Sequence, residues 1–126
     1  MTDETFLARF EATSLTSFDH RDHVRVAFAY ARRGGIEHAV DRAREGLRRL
    51  TRAHGAPEHF HETLTVAWAR VIAHHALADE RGFDAFLVAN PHLLRRDLLL
   101  AHYSRDRLFS DAARAKFVEP DLLALP

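Results

Sequence analysis

Cysteine is absent from the 126-residue sequence. Its absence excludes disulfide scaffolds, zinc ribbons, iron–sulfur clusters and thiol catalysis. Nothing points to an oxidising compartment, so a cytoplasmic location is the expectation. A chain of this length removes about two-thirds of its unfolded surface from water and can fold without cross-links. We therefore expect a single domain over residues 1–126.

Long apolar runs and a net charge are missing as well. No segment approaches the ~20 apolar residues of a membrane span, and the first stretch, MTDETFLARFEATS, lacks the apolar run of a signal peptide. Eighteen basic and eighteen acidic side chains cancel, so the broad basic surface of a nucleic-acid binder is not expected. We expect a small-molecule substrate as the partner, and neither nucleic acid nor a membrane.

The residues that are abundant favour helices. The chain is rich in Ala, Leu and Arg and poor in β-branched residues, and its apolar residues recur at spacings of three and four. This pattern predicts an all-α, single-domain bundle of about five to six helices. The predicted helices cover about 3–12, 18–33, 36–54, 57–79, 83–89 and 93–103, with a last turn from 110 to 117. Three aromatic residues fill the core or form the face of a homodimer: Phe83, Phe86 and Phe109.

Histidine is the compositional outlier, with ten residues spread through the chain. His20 and His23 are one turn apart at the head of the apolar stripe of the second helix. His61 and Glu62 head apolar stripes of the fourth helix, where a buried carboxylate needs a cation, a hydrogen-bond donor or a metal. Short loops make helices two, three and four antiparallel neighbours. The starts of helices two and four are therefore predicted to meet at one end of the bundle.

This convergence suggests a metal centre. His20, His23 and His61 are the predicted ligands, and Glu62 is a fourth ligand, an acceptor that orients an imidazole, or a general base. Imidazoles and a carboxylate without sulfur suit one divalent transition metal ion: iron, zinc, manganese or copper. With an open coordination position and Tyr103 beside it, the site would belong to a small metal-dependent enzyme that oxidises, hydrolyses or rearranges a small molecule.

Other interpretations of the same residues stay open. The histidines can be capping and hydrogen-bonding groups, and a glutamate in the first turn of a helix is favoured by the helix dipole alone. A His–Glu pair can also perform acid–base chemistry without a metal. The chain would otherwise be a non-catalytic ligand-binding or interaction module. Glu62 has three candidate arginine partners: Arg25, Arg95 and Arg96. The basic run of the third helix, which includes Arg44 and Arg48, is expected to be a solvated face.

Three segments, FDHRDHVRVA, HGAPEHFHETLTVAW and LLLAHYSRDRLFSDAARAKFVEPD, resemble a small family of bacterial helical proteins without a known activity. The resemblance covers about residues 18–121. Phe60 provides the aromatic ring of the family pattern without a hydroxyl. The resemblance implies no reaction, but it assigns these residues to the family pattern: His20, His23, His61, Glu62, Thr63, Tyr103, Ser104 and Phe117.

Overall fold

The computed structural model describes residues 1–126 and contains seven α-helices and no strand. This confirms the predicted all-α fold. Three short 3-10 turns lie between the helices, at Pro57–His59, Pro91–Leu94 and Leu98–Ala101. The α-helices are α1 (Asp3–Glu11), α2 (His20–Gly34), α3 (Ile36–Ala53), α4 (Glu62–Leu77), α5 (Phe83–Ala89), α6 (Arg105–Leu108) and α7 (Asp111–Ala115).

The three longest helices, α2, α3 and α4, pack against one another and form the centre of the bundle. Eleven of the sixteen residues of α4 are buried, as expected for a helix that is apolar around most of its circumference. Helix α1 covers α2 and α3, and the ring of Phe10 lies over Gly46, where any side chain would collide with it. Each large apolar side chain in this core contributes about 1.5–3 kcal/mol by leaving water.

The start of α4 differs from the prediction. Pro57 begins a 3-10 turn rather than the helix, because Phe60 and His61 have extended backbones. Helix α4 therefore begins at Glu62, and His61 is its N-cap. In α2 the cap is Asp19, whose carboxylate accepts from the backbone N–H of Asp22 while the Asp22 side chain accepts from the backbone N–H of Asp19.

The predicted helix from 93 to 103 is also wrong. Two 3-10 turns replace it, and α6 follows as a separate short helix. Phe83 and Phe86 are buried in the core, so neither can belong to a homodimer face, whereas Phe109 is 53% exposed. None of the helices has the length and apolar character needed to cross a membrane.

The last residues fold back over the start of α4. The hydroxyl of Thr63 donates to the carbonyl of Lys116 at 3.0 Å and accepts from the N–H of Val118 at 3.2 Å. Both the backbone N–H and the hydroxyl of Ser104 donate to the carboxylate of Asp121, at 2.8 and 2.6 Å. These bonds hold residues 104–121 against one end of the bundle, next to the first turns of α2 and α4.

Candidate functional site

A cleft of about 400 Å³ opens where the starts of α2 and α4 meet the segment 96–109. Two histidines line it together with an apolar surface, and three exposed charged side chains stand at its edge. This combination of apolar walls and a few polar groups is typical of small-molecule sites. The lining residues are His20, His23, Leu64, Trp68, Arg96, Asp97, Leu99, Leu100, Arg105, Leu108 and Phe109.

The carbonyl of Leu93 fixes the ring of His20. The Nε2 atom lies 2.9 Å from that oxygen. Because a carbonyl only accepts, Nε2 carries the hydrogen and Nδ1 is left without a partner in the protein. The ring also packs edge-on against Trp68, with 4.7 Å between the ring centres. His20 therefore has one ring nitrogen without a partner, Nδ1, which in the neutral ring accepts a hydrogen bond.

His23 differs from His20 because it has no hydrogen-bond partner in the protein. Its ring packs edge-on against Phe18, at 5.6 Å between centres, and lies 6.5 Å from the ring of His20. Burial, with a smaller effect from the charge of His20, lowers the pKa of His23 to about 4. At neutral pH the ring is uncharged, with one N–H and one lone pair unused. His23 is partly exposed and lines the cleft, so water or a ligand can reach these two atoms.

His61 has both ring nitrogens in use. Its Nδ1 accepts from the backbone N–H of Leu64 at 3.1 Å, and its Nε2 donates to the carbonyl of Leu108 at 2.9 Å. The residue is 5% exposed, and burial lowers its pKa, so the ring is neutral and hydrogen-bonded at both nitrogens. His61 thus fixes the position of the cleft wall at Leu108 but does not line the cleft.

Glu62 points toward α3 rather than into the cleft. Its two carboxylate oxygens accept from Nε of Arg44 at 2.9 and 3.1 Å, and Arg48 lies 3.5 Å away. The predicted partners Arg25, Arg95 and Arg96 are therefore wrong, and two arginines of the presumed solvated face supply the charge. This arrangement satisfies the buried carboxylate.

Tyr103 does not line the cleft. Its side chain is fully buried, and its hydroxyl donates to the carbonyl of Val118 at 2.7 Å. Burial, together with the charge of Glu119, raises the pKa of Tyr103 to about 12. Tyr103 therefore anchors the C-terminal segment, and its catalytic role stays a prediction that the cleft does not support.

The predicted convergence is only partly realised. The contact of His20 with Trp68 shows that the first turns of α2 and α4 do meet. However, no three His, Asp or Glu side chains are grouped so that they could hold one metal ion. Two imidazoles on one tetrahedral ion place their ring centres about 5 Å apart, which is less than the 6.5 Å between His20 and His23. A metal in the cleft stays a prediction that depends on His20 and His23 alone.

Sequence reasoning missed the opposite wall of the cleft. Arg96, Arg105 and Phe109 line it, but they lie more than 70 residues after His23 in the sequence. The helix predicted over 93–103 misplaces Arg96, and Arg105 and Phe109 lie beyond it, because the segment is made of a 3-10 turn and a single helical turn. The local sequence carries no pattern that identifies these residues.

Comparisons of the chain with known protein families, with curated proteins and with solved structures found no match. The resemblance to a bacterial helical family therefore stays a prediction.

Proposed function

We propose that the protein binds a small anionic molecule with an apolar body in the cleft, and that His20 and His23 act on it as hydrogen-bonding and proton-transferring groups. The observation that carries this proposal is the unpartnered, uncharged ring of His23 in the wall of an apolar cleft. A ligand atom would satisfy the N–H and lone pair that the protein leaves free.

The charges at the edge of the cleft favour an anion. Arg96 and Arg105 contribute two positive charges, and Asp97 contributes one negative charge. The carboxylate of Asp97 also lies 3.5 Å from the guanidinium of Arg95, so Arg95 offsets the negative charge of Asp97. The apolar walls, including Trp68 and Phe109, suit an aliphatic or aromatic body. A carboxylate beside His23 would also favour the protonated ring, so binding would be accompanied by proton uptake.

Trp68 provides a direct probe because it is the only tryptophan of the chain and lines the cleft. We would titrate the protein with benzoate and hexanoate, and with the uncharged benzamide and hexanamide, and follow tryptophan fluorescence. We expect a saturable change with the carboxylates and at least fivefold weaker binding of the amides. The fluorescence would identify the cleft as the binding site and separate charge from size.

Two variants complete this test. We expect His23→Ala to weaken carboxylate binding at least tenfold. His59→Ala is the control, because His59 is exposed and does not line the cleft. No saturable change with any of the four compounds, or equal binding by His23→Ala and the wild type, would rule out the proposal.

A second candidate function is a metal-dependent enzyme that uses His20 and His23. The supporting observation is the bond from Nε2 of His20 to Leu93, since metal-bound histidines usually donate their other ring nitrogen to a carbonyl or carboxylate. This candidate requires the two rings to approach by more than 1 Å from their separation of 6.5 Å. Elemental analysis of tag-free wild type and His20→Ala/His23→Ala tests it, and equal metal content in both would contradict it.

A further inference from the structure

A second pair of histidines lies outside the cleft, between the last turn of α4 and the turn at Pro91–Leu94. The Nε2 atoms of His75 and His92 are 3.3 Å apart, and their ring centres are 5.0 Å apart. His75 is partly accessible to solvent, and His92 is exposed. Their spacing of 17 in the sequence gives no indication of this contact.

The orientation of His75 is fixed by its own helix. Its Nδ1 lies 2.9 Å from the carbonyl of Val71. A carbonyl only accepts, so Nδ1 carries the hydrogen and the Nε2 lone pair of the neutral ring points at His92. This is the arrangement in which histidines commonly bind metals, with one nitrogen held by a carbonyl and the other left for the ion.

The distance between the two Nε2 atoms matches a shared ion. Two ligands about 2.0–2.1 Å from a tetrahedral ion are separated by about 3.3–3.4 Å. The 3.3 Å between the Nε2 atoms of His75 and His92 therefore suits a shared ion without a change in this distance. Their ring centres are 5.0 Å apart, whereas those of His20 and His23 are 6.5 Å apart. An N–H···N hydrogen bond also fits, but 3.3 Å lies beyond the usual range for hydrogen bonds of N–H groups.

The backbone holds His75 and His92 next to each other without a bound ion. His75 lies in the last turn of α4, where the helix dipole favours a cation. His92 lies in a 3-10 turn, and the next residue, Leu93, is fully buried and accepts a hydrogen bond from His20. A fixed turn reduces the entropy that is lost when an ion is bound.

The outer side of the pair has room for further ligands. His92 borders a cleft of about 380 Å³ whose other lining residues include Arg95 and Asp97. These two side chains lie 3.5 Å from each other, so the positive charge of Arg95 is partly offset near the pair. Water or an added ligand can occupy the remaining coordination positions.

We propose that His75 and His92 form a binding site for one divalent transition metal ion, with the other positions left to solvent. Imidazole nitrogens select borderline metals, so the site prefers copper, then nickel and zinc, and does not bind magnesium or calcium. The site is separate from the His20–His23 cleft and does not depend on the function proposed for that cleft.

The test uses calorimetric titration of tag-free, metal-stripped full-length protein with ZnCl2 and with NiCl2. We expect one equivalent to bind to the wild type and at least tenfold weaker binding to His92→Ala. His23→Ala and His59→Ala are the matched controls and should bind as the wild type does. His92 is exposed, so His92→Ala should keep the wild-type circular dichroism spectrum and thermal midpoint.

A second measurement identifies the atoms. Zinc should shift the ¹⁵N resonances of Nε2 in both His75 and His92 and leave those of His59 unchanged. Equal zinc affinity of His92→Ala and the wild type would overturn the proposal and leave a hydrogen-bonded pair. Loss of binding in His23→Ala alone would also overturn it, because the ion would then lie in the cleft.

Discussion

His61 and His23 both lie at the same end of the bundle, at the head of apolar stripes on neighbouring helices, but the protein satisfies only one of them. His61 uses both ring nitrogens, for the N–H of Leu64 and the carbonyl of Leu108. His23 has neither bond, and its uncharged ring lines a cleft. The difference shows that hydrogen-bond partners, rather than position on a stripe, distinguish a structural histidine from one that is available to a ligand.

The largest expected effect on the free energy of unfolding comes from removing the ring of His61, which is hydrogen-bonded at both nitrogens. His61→Ala loses the N-cap of α4 and leaves the buried carbonyl of Leu108 without a donor, so we expect a loss of about 2–4 kcal/mol in the free energy of unfolding. His23→Ala removes packing but no hydrogen bond, and should cost about 1 kcal/mol. Urea denaturation at pH 7 measures both.

His61→Asn sharpens this comparison. Asparagine is a good N-cap but is too short to reach Leu108, so it should recover about 1 kcal/mol of the loss. If His61→Ala and His23→Ala are equally stable, the distinction between the two histidines is wrong.

A smaller effect is expected at the neighbour of His61. Glu62→Gln removes the charge that pairs with Arg44 and Arg48, and should cost about 1–3 kcal/mol because the glutamate side chain is only 10% exposed while the arginines are partly solvated. The control is Asp84→Asn, which breaks the exposed pair with Arg21 and should cost at most about 0.5 kcal/mol. Urea denaturation compares the two variants.

Glu62→Gln also tests whether Glu62 contributes to ligand binding as well as to stability. Glu62 does not line the cleft, so Glu62→Gln should bind benzoate and hexanoate as the wild type does. A tenfold loss of binding in a folded Glu62→Gln protein would return Glu62 to the site as a functional group.

The smallest effect is a dependence on pH. The pKa of His23 is about 4 in the folded protein and about 6.5 in an unfolded chain, so the unfolded state binds more protons between these values. The contribution of His23 to the free energy of unfolding is therefore greatest above pH 6.5 and decreases as the pH falls toward 4. We expect a loss of about 1–2 kcal/mol between pH 6.5 and 5. Urea denaturation at these two pH values measures the loss.

His23→Ala and His59→Ala again form a matched pair. The loss between pH 6.5 and 5 should shrink in His23→Ala and persist in His59→Ala. His61, whose pKa is also lowered by burial, retains a smaller loss of the same sign in both variants. An unchanged loss in His23→Ala would show that its ring is protonated as easily in the folded protein as in water.

The sequence predicts the helical bundle and the end of it that carries the candidate site, because both follow from periodicity and short loops. It does not predict the start of α4, since Pro57 suits the first turn of a 3-10 helix as well as that of an α-helix. That error matters, because the extended backbone of His61 is what turns its ring into a cap.

The sequence also does not predict contacts between side chains that are far apart in the chain. Periodicity places Arg44 and Arg48 on the polar side of α3, but it cannot show that the edge of this side reaches Glu62. The contact of His75 with His92 and the cleft wall at Arg105 depend in the same way on how the chain turns after α4.

The two walls of the cleft should also exchange amide hydrogens at different rates. One wall consists of the long central helices, whereas the other, residues 96–109, consists of short turns. Hydrogen bonds of His61 and Tyr103 are among those that hold this second wall to the rest of the protein. Leu99, Tyr103 and Leu108 anchor this wall in the core, but half of its residues are exposed, and short exposed turns open locally more easily than long packed helices. We therefore expect amide hydrogens of the second wall to exchange faster than those of α2, α3 and α4, and a bound ligand to slow exchange most in residues 96–109.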